Sequence, residues 1–160
     1  MKSLLKLAAA SVMLTAAACM SSPEPDVEKY KVSISAHEQT NPDLTGRASP
    51  TVVKILTLKT EEEFLEADFF DLFESPEDAL GEALLEATTA TLAPGEATLV
   101  TFESLEGAGH VAVVAGFKDL DNAVWRDIAS VKSLPKERKP NITLADRTVA
   151  IEIKRKKNKK

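Results

Sequence analysis

Residues 111–117 have the sequence VAVVAGF, which is apolar at almost every position. Successive side chains of a β-strand point to opposite faces, so an unbroken apolar run indicates a central strand covered on both faces. Residues 30–36 differ, because apolar residues alternate there with lysine and serine. This period of two is typical of a strand with one buried and one solvated face. The two segments therefore predict a layered β structure.

Further strand signals flank this central segment. Residues 51–58 are rich in β-branched side chains, Pro94 and Gly95 form a turn between two strands, and residues 142–153 have the pattern of a tight hairpin. Short strands separated by turn signals are typical of a β-sandwich. We predict a mainly β fold, a two-sheet sandwich of about eight strands. The predicted strands are residues 30–36, 51–58, 84–92, 97–102, 111–117, 124–131, 142–145 and 148–153.

A small helical insertion at about residues 60–81 interrupts the β pattern. Residues 60–63 have the sequence TEEE, which predicts a capping box in which Thr60 caps a helix and Glu63 reaches back. Pro76 and Gly81 mark the start and the end of a second short helix. The predicted apolar stripe of the first helix consists of Phe64, Leu65, Phe69, Leu72 and Phe73.

Residues 1–18 have the organisation of a bacterial secretory signal that ends at a lipoprotein cysteine. Two lysines precede a short apolar run, small residues follow at 16–18, and Cys19 is the only cysteine of the chain. The run is shorter than the roughly 20 residues that span a bilayer as a helix. We predict lipidation of Cys19, with residues 19–26 as a tether. An ordinary secretory signal, which would leave a free thiol, is the alternative, and Ala16 favours it because lipoprotein signals usually have leucine there.

The residue after the cysteine predicts which of the two membranes holds the lipoprotein. In many Gram-negative bacteria an aspartate at this position retains a lipoprotein at the inner membrane, and here the residue is Met20. By this analogy we expect attachment to the outer membrane, facing the periplasm. Residues 27–153 are enough for one domain, and without a second cysteine they form no internal disulfide.

The charge of the chain is unevenly distributed. Two lysines lie in the signal and six basic residues at 154–160, so residues 19–153 keep 12 of the 20 basic side chains against 25 acidic ones, a net charge of −13. An acidic domain is a poor partner for nucleic acid. The basic C-terminal tail, residues 154–160, is suited to anionic lipid or an acidic protein, and the alternative is a solvated end.

The residues that carry catalytic chemistry are sparse. His37 and His110 are the only histidines and lie on different predicted elements, whereas a zinc site needs three or four convergent ligands. The sequence contains no GxSxG, phosphate-loop or dinucleotide-binding motif. We therefore predict no enzyme, no metal and no cofactor. Trp125, the one tryptophan, is expected to be a core side chain rather than part of a binding surface.

After the signal, the chain contains an ordered set of short motifs. They are residues 41–43 (NPD), 46–50 (GRASP), 52–55 (VVKI), 58–59 (LK), Phe64, 67–69 (ADF), 80–81 (LG), 92–96 (LAPGE), 113–119 (VVAGFKD) and 125–126 (WR). Together with the signal, this set resembles the TssJ family, the outer-membrane lipoproteins of the type VI secretion system, over about residues 1–131. Two departures are Thr40, where the family often has leucine, and Leu56-Thr57, where it often has Tyr-Gln; the basic tail is not a family feature.

The resemblance implies a transthyretin-like β-sandwich with a helical insertion. It also implies a trans-envelope role, in which the tethered lipoprotein docks the periplasmic domain of TssM, an inner-membrane protein. The resemblance implies that the loop between the first two strands carries this contact. From the residues alone, its Asn, Pro and Gly would instead be interpreted as turn formers. The expected partner-binding residues are Gln39, Thr40, Asn41, Pro42, Asp43, Leu44, Thr45, Gly46, Arg47, Ala48 and Ser49.

Two other functions remain open at this point. A lipid-anchored periplasmic protein that binds a small ligand or an envelope polymer should have an apolar pocket with convergent polar groups. A tethered hydrolase should have titratable residues clustered in a cleft.

Overall fold

The computed structural model describes residues 30–103, 106–131 and 138–155. The predicted signal, Cys19, the tether and the last five residues of the basic tail lie outside the described residues. None of the helices in the described segments is both long enough and apolar enough to traverse a bilayer.

The described residues form eight strands, close to those predicted. The first four strands coincide with the predicted ranges, and β5 begins one residue earlier than expected. The final hairpin is longer than predicted, and its last strand extends two residues into the basic tail. The strands are β1 (Tyr30–Ala36), β2 (Thr51–Leu58), β3 (Leu84–Leu92), β4 (Ala97–Phe102), β5 (His110–Gly116), β6 (Arg126–Ser130), β7 (Arg138–Ala145) and β8 (Thr148–Arg155).

The strands form two four-stranded sheets. Sheet I has the order β4-β1-β7-β8, and sheet II has the order β3-β2-β5-β6. All pairings within the sheets are antiparallel except that of β1 with β7, which is parallel. β6 is shorter than predicted, because Val124 makes only an isolated bridge to Thr148 at the start of β8.

The main core lies between the sheets. Alternate residues of β1, including Val32 and Ile34, are fully buried there, as the period of two predicts. The five central residues of β5 are all fully buried, because one face of the strand packs in this core and the other lies under the helices. The prediction of a strand covered on both faces is therefore confirmed.

The helical insertion covers the outer face of sheet II. It contains α1 (Glu62–Glu66), α2 (Phe69–Glu74) and α3 (Pro76–Leu80). Phe64, Leu72 and Leu80 are buried against that face and form a second apolar cluster. This additional layer lets sheet II bury both of its sides.

The predicted first helix is wrong in two details. It is divided, because Ala67 is extended and Asp68 begins α2 by accepting a hydrogen bond from the Asp71 backbone N–H at 3.0 Å. An aspartate at this position is a strong helix cap, and it stops propagation of the preceding turn. The capping box also differs, since Glu61 is the cap residue and the Thr60 hydroxyl donates to Glu63 Oε2 instead of a backbone group.

Arg126 holds α1 against sheet II. Its guanidinium donates to the carbonyls of Phe64 and Ala67 from Nη1, both at 2.9 Å, and to that of Leu65 from Nη2 at 3.0 Å. The guanidinium also lies 4.8 Å from the ring centre of Trp125. Trp125 contacts both apolar clusters, as expected for a core side chain. Arg126 therefore provides the partners that the carbonyls at the end of a short helix require.

The two ends of the sandwich are formed by different segments of the chain. The N-terminal end contains the first residue of β1, Tyr30, and the last residue of β8, Arg155, which pairs with Arg138. The loop end contains the connections that follow β1, β5 and β7. β1 has seven residues, so the two ends are about 20 Å apart at roughly 3.3 Å per residue.

Candidate partner-binding site

The predicted binding loop, residues 39–49, divides into a buried base and an exposed tip. Thr40, Asn41, Pro42 and Ser49 are buried, and Asp43 and Ala48 are half-buried. Gln39 and residues 44–47 are exposed. The structure therefore places the eleven predicted residues in one loop but leaves only part of them accessible to a partner.

Asn41 joins three connections at the loop end. Its backbone N–H donates to the Asp146 carbonyl at 2.7 Å, and its side-chain amide donates to the Pro50 carbonyl at 2.9 Å. Its Oδ1 accepts from the Lys118 backbone N–H at 2.8 Å. The residue has a positive φ of 54°, a conformation that asparagine tolerates better than most residues. Asn41 thus fixes the loop to the connections after β5 and β7.

Thr40 adds a second attachment to the sheet. Its hydroxyl donates to the Leu144 carbonyl at 3.0 Å, and its own carbonyl accepts from the Ser49 N–H at 3.1 Å. Thr40 is completely buried, so a leucine at this position would leave the Leu144 carbonyl without this donor. The base of the loop is therefore part of the folded sandwich.

Asp43 organises the tip. Its Oδ1 accepts from the Thr45 hydroxyl at 2.6 Å, from the Thr45 N–H at 2.8 Å and from the Arg47 N–H at 3.1 Å. Arg47 also approaches Oδ2, with Nη2 at 3.1 Å. The Thr45 hydroxyl, followed by the two backbone N–H groups, holds the pKa of Asp43 well below its usual range. Gly46, with φ of 80°, closes the turn by donating to the Asp43 carbonyl.

Leu44 protrudes from this organised tip. Its exposed fraction is 103%, the largest among the large apolar side chains of the described residues. The Arg47 side chain beside it is 82% exposed. An apolar side chain held in solvent by a rigid turn is available for burial by a partner, and the loop needs little reordering to present it.

A small open cleft borders the tip. It has a volume of about 120 Å³ and is lined by Pro42, Asp43, Leu44, Lys118, Asp119 and Arg147. Arg147 Nε lies 3.0 Å from Asp119 Oδ2, which connects the turn after β7 to the segment after β5. Sequence reasoning did not include these last three residues in the site. Lys118 and Asp119 had a signal, since they belong to one of the matching motifs, but Arg147 had none.

The histidines are far apart. His37 follows β1 at the loop end, whereas His110 begins β5 next to the last residue of β2. His110 Nε2 lies 3.3 Å from Glu61 Oε2. The described residues contain no group of three or more metal-ligating side chains. The two histidines therefore do not converge on one site.

Comparison with known proteins identifies the family. The family described as type VI secretion lipoprotein, with VasD, EvfM and TssJ among its names, matches residues 28–156. The chain belongs to the type VI secretion lipoprotein family. The resemblance predicted from the motifs is therefore confirmed. Members of this family are structural components of a secretion system rather than known enzymes. No curated protein sequence gives a significant match.

Solved structures show the same fold. TssJ1 from Pseudomonas aeruginosa matches with a TM-score of 0.70 and 27% identity, over 79% of this chain and 95% of that one. Lip from Serratia marcescens, a membrane-bound component of the type VI secretion system, matches with a TM-score of 0.70 and 23% identity. The match covers 78% of this chain and 96% of that one. A chain in the structure described as the TssM C-terminal domain from EAEC matches with a TM-score of 0.65 and 23% identity. The match covers 78% of this chain and 97% of that one. This chain is thus a transthyretin-like β-sandwich, as predicted.

Proposed function

We propose that this protein is the outer-membrane lipoprotein of the type VI trans-envelope complex and that it docks the periplasmic domain of TssM. Lipidation of Cys19 attaches the N-terminal end to the outer membrane. The loop end then faces the periplasm, and residues 39–49 contact the partner. Membership of a secretion lipoprotein family supports the role, and the match to a chain in a TssM structure supports the choice of partner.

The observation that carries this proposal is the rigid presentation of Leu44. The tip is held by Asp43, and its base is held by Thr40 and Asn41. A loop fixed in this way loses little conformational entropy when it binds, so a modest contact area gives useful affinity. Buried, well-packed side chains at the centre of an interface usually dominate its binding energy.

The positions of the two attachments support the same role. The predicted lipid is attached to the chain before Tyr30, the first residue of β1, and the candidate loop follows the other end of this strand, about 20 Å away. A protein held to one membrane and bound to a partner from the other is confined to a thin layer. Confinement raises the effective concentration of the two partners, so the interface itself can be of moderate strength.

At the loop end, the small-ligand alternative has less support. The cleft beside the loop has about 120 Å³, whereas pockets for small molecules usually have about 300–1,000 Å³. The cleft is also open and adjoins the exposed Leu44, a geometry that suits the edge of a protein interface better than an enclosed ligand.

The docking proposal is tested by substitution of Leu44. We expect Leu44→Asp to weaken binding to the purified periplasmic domain of TssM by about 30-fold or more, the usual effect of losing an interface hot spot. The matched control is Leu99→Asp, since Leu99 is also exposed, at 61%, but lies on β4 outside the loop. Equal affinity of the Leu44→Asp variant and the unsubstituted protein would refute the loop assignment.

Lipid attachment has a separate test. The mass of the mature N-terminus should show an acylated Cys19, and an unmodified cysteine would refute lipidation. We expect Cys19→Ser to leave a periplasmic protein that is free of membranes and to stop secretion. A fully active secretion system carrying this variant would contradict the tethering role.

A further inference from the structure

Two large apolar side chains of the helical insertion are exposed to solvent. Phe70 of α2 is 61% exposed, and Leu65 of α1 is 49% exposed although the sequence predicted it within the apolar stripe. The inner side of the insertion is already occupied, because Phe64 and Leu72 pack against sheet II. The insertion therefore presents further apolar side chains on its outside, and no described element of the chain covers them.

Both exposed side chains are linked to one rigid unit, the pair Trp125 and Arg126. The ring centre of Phe70 lies 5.3 Å from that of Phe69, which in turn lies 5.3 Å from that of Trp125. The Leu65 carbonyl accepts from Arg126 Nη2 at 3.0 Å, and the guanidinium lies 4.8 Å from the Trp125 ring centre. Leu65 and Phe70 are thus held near this pair before any partner binds, so little entropy is lost on binding.

The charged side chains of the insertion are all acidic. Residues 60–83 contain ten aspartates and glutamates and no lysine or arginine. Residues three or four positions apart share a helix face, so Glu62 is a neighbour of Leu65 on α1. Glu74 is likewise a neighbour of Phe70 on α2. The acids exposed on these two helices include Glu62, Glu66, Asp71 and Glu74.

These negative charges have few basic partners within the described part of the chain. There, only one acid of the insertion contacts a basic side chain, namely Glu61, whose Oε2 lies 3.3 Å from His110 Nε2. Arg126 donates to backbone carbonyls of the insertion instead of a carboxylate. Glu66 and Glu74 also end α1 and α2, where a negative charge is unfavourable. The isolated domain therefore gains no stability from this charge pattern.

The arrangement suits a basic polypeptide better than a metal ion. The described residues contain no group of three metal-ligating side chains, so the acids are spread over the surface and do not converge. Arginine also stacks on aromatic faces, which makes the exposed ring of Phe70 a second contact for it. The basic tail of this chain lacks the required apolar residue, since residues 156–160 have the sequence KKNKK.

We propose that the helical insertion docks a basic protein segment that carries an apolar or aromatic side chain. This side chain covers Leu65 and Phe70, and the flanking arginines or lysines pair with the acids. An apolar centre with a charged rim is typical of protein interfaces. The docking surface consists of Glu62, Leu65, Glu66, Phe70, Asp71 and Glu74. It is separate from the loop proposed to contact TssM and gives the domain a second attachment point.

A fluorescein-labelled peptide of arginine and tryptophan residues tests the pairing on the mature chain with Cys19→Ser. We expect saturable binding by fluorescence anisotropy, weakened by salt, and shifted amide resonances in α1 and α2. A second peptide, with serine in place of each tryptophan, should bind at least about fivefold more weakly because it has no aromatic side chain to cover the apolar pair. Equal affinities of the two peptides would show attraction by charge alone and would overturn the inference.

The apolar centre is tested by Phe70→Ser. This variant should raise the Kd of the tryptophan peptide about tenfold, the usual effect of losing one buried interface side chain. Leu99→Ser is the matched control, because Leu99 is also 61% exposed but lies on β4. The control should change the Kd by less than about twofold. Equal effects of the two substitutions would contradict the proposal.

The acidic rim is tested by Glu66→Gln combined with Asp71→Asn. Loss of two exposed ion pairs should raise the Kd about fivefold at low salt and have a smaller effect at high salt. Glu38→Gln with Asp121→Asn removes the same charge from exposed positions outside the insertion. An equal increase of the Kd in this control pair would show that the rim acts only through the net charge, and the docking surface would be wrong.

The natural partner is identified by cross-linking in cells with an active secretion system, with p-benzoylphenylalanine in place of Phe70. We expect an adduct that mass spectrometry maps to a basic segment of another protein, and no such adduct from the same group in place of Leu99. An adduct on a neutral or acidic segment would overturn the inference. Self-association of the parent chain that Phe70→Ser abolishes would make a second copy the occupant and would overturn it as well.

The outcome is separable from that of the proposed function. Leu44→Asp should leave peptide binding unchanged, because Leu44 lies in the loop after β1 and not on the insertion. Loss of TssM binding in that variant with intact peptide binding concerns the docking loop alone. Shifted resonances confined to the loop end, with none in α1 and α2, would refute the insertion as the binding surface.

Discussion

Asn41→Ala tests whether the candidate partner-binding loop is held by one residue. The substitution leaves the Pro50 carbonyl and the Lys118 N–H without their side-chain partners, and each loss costs about 1–1.5 kcal/mol. It also places alanine at φ of 54°, which costs about 1 kcal/mol more. We expect a loss of about 3–4 kcal/mol from a free energy of unfolding of about 5–15 kcal/mol.

Urea unfolding of the mature chain with Cys19→Ser measures this loss, and Trp125 provides a single fluorescence probe. Asn41→Gly is the matched control, because glycine accepts the positive φ but also loses both side-chain hydrogen bonds. The alanine variant should therefore be about 1 kcal/mol less stable than the glycine variant. A total loss below about 1 kcal/mol, or equal stability of the two variants, would contradict the reasoning.

Three further predictions concern stability and ionisation. Arg126→Ala removes three hydrogen bonds to the carbonyls of Phe64, Leu65 and Ala67 at the end of α1. It should cost about 2 kcal/mol by urea unfolding, with hydrogen exchange of the α1 amides accelerated. Gly116→Ala brings a methyl group within 2.8 Å of Phe73 and should cost about 1–3 kcal/mol, whereas adding Phe73→Leu should recover part of this loss. Because the pKa of Asp43 is lowered in the folded protein, its ionised carboxylate stabilises the fold fully above the unfolded-state pKa of about 4. This stabilisation is lost only as the pH falls through the folded-state pKa. Its carboxyl carbon shift should therefore report an ionised group at about pH 3, and a midpoint near 4 would show that the turn is not formed.

The strands were predictable because their signals are local. The alternation in residues 30–36 and the apolar run in residues 111–117 each follow from the direction of successive side chains in a strand. The pairing of β1 with β7 was not predictable, since it joins residues about a hundred positions apart and depends on how the whole chain packs. The division of the first helix was missed because its apolar spacing continues through Ala67, where Asp68 begins a new helix.

The candidate partner-binding loop was predicted from the family resemblance, but the positions of its residues came from the fold. Nothing in the local sequence separates the buried Thr40 and Asn41 from the exposed Leu44. The difference arises because the loop lies over the connections after β5 and β7, which supply the partners of Asn41. Arg147 joins the same surface through its contact with Asp119, and nothing in the local sequence indicated this position.

The sequence by itself determined the family and the strand content, because these depend on residue order and short-range periodicity. It also predicts the secretory signal and the lipidation of Cys19. Only the tertiary structure decided which side chains meet. It separated the N-terminal end from the loop end and exposed Leu44 on a rigid turn. These features depend on contacts between distant segments, and such contacts are set by the packing of the whole core rather than by any local pattern.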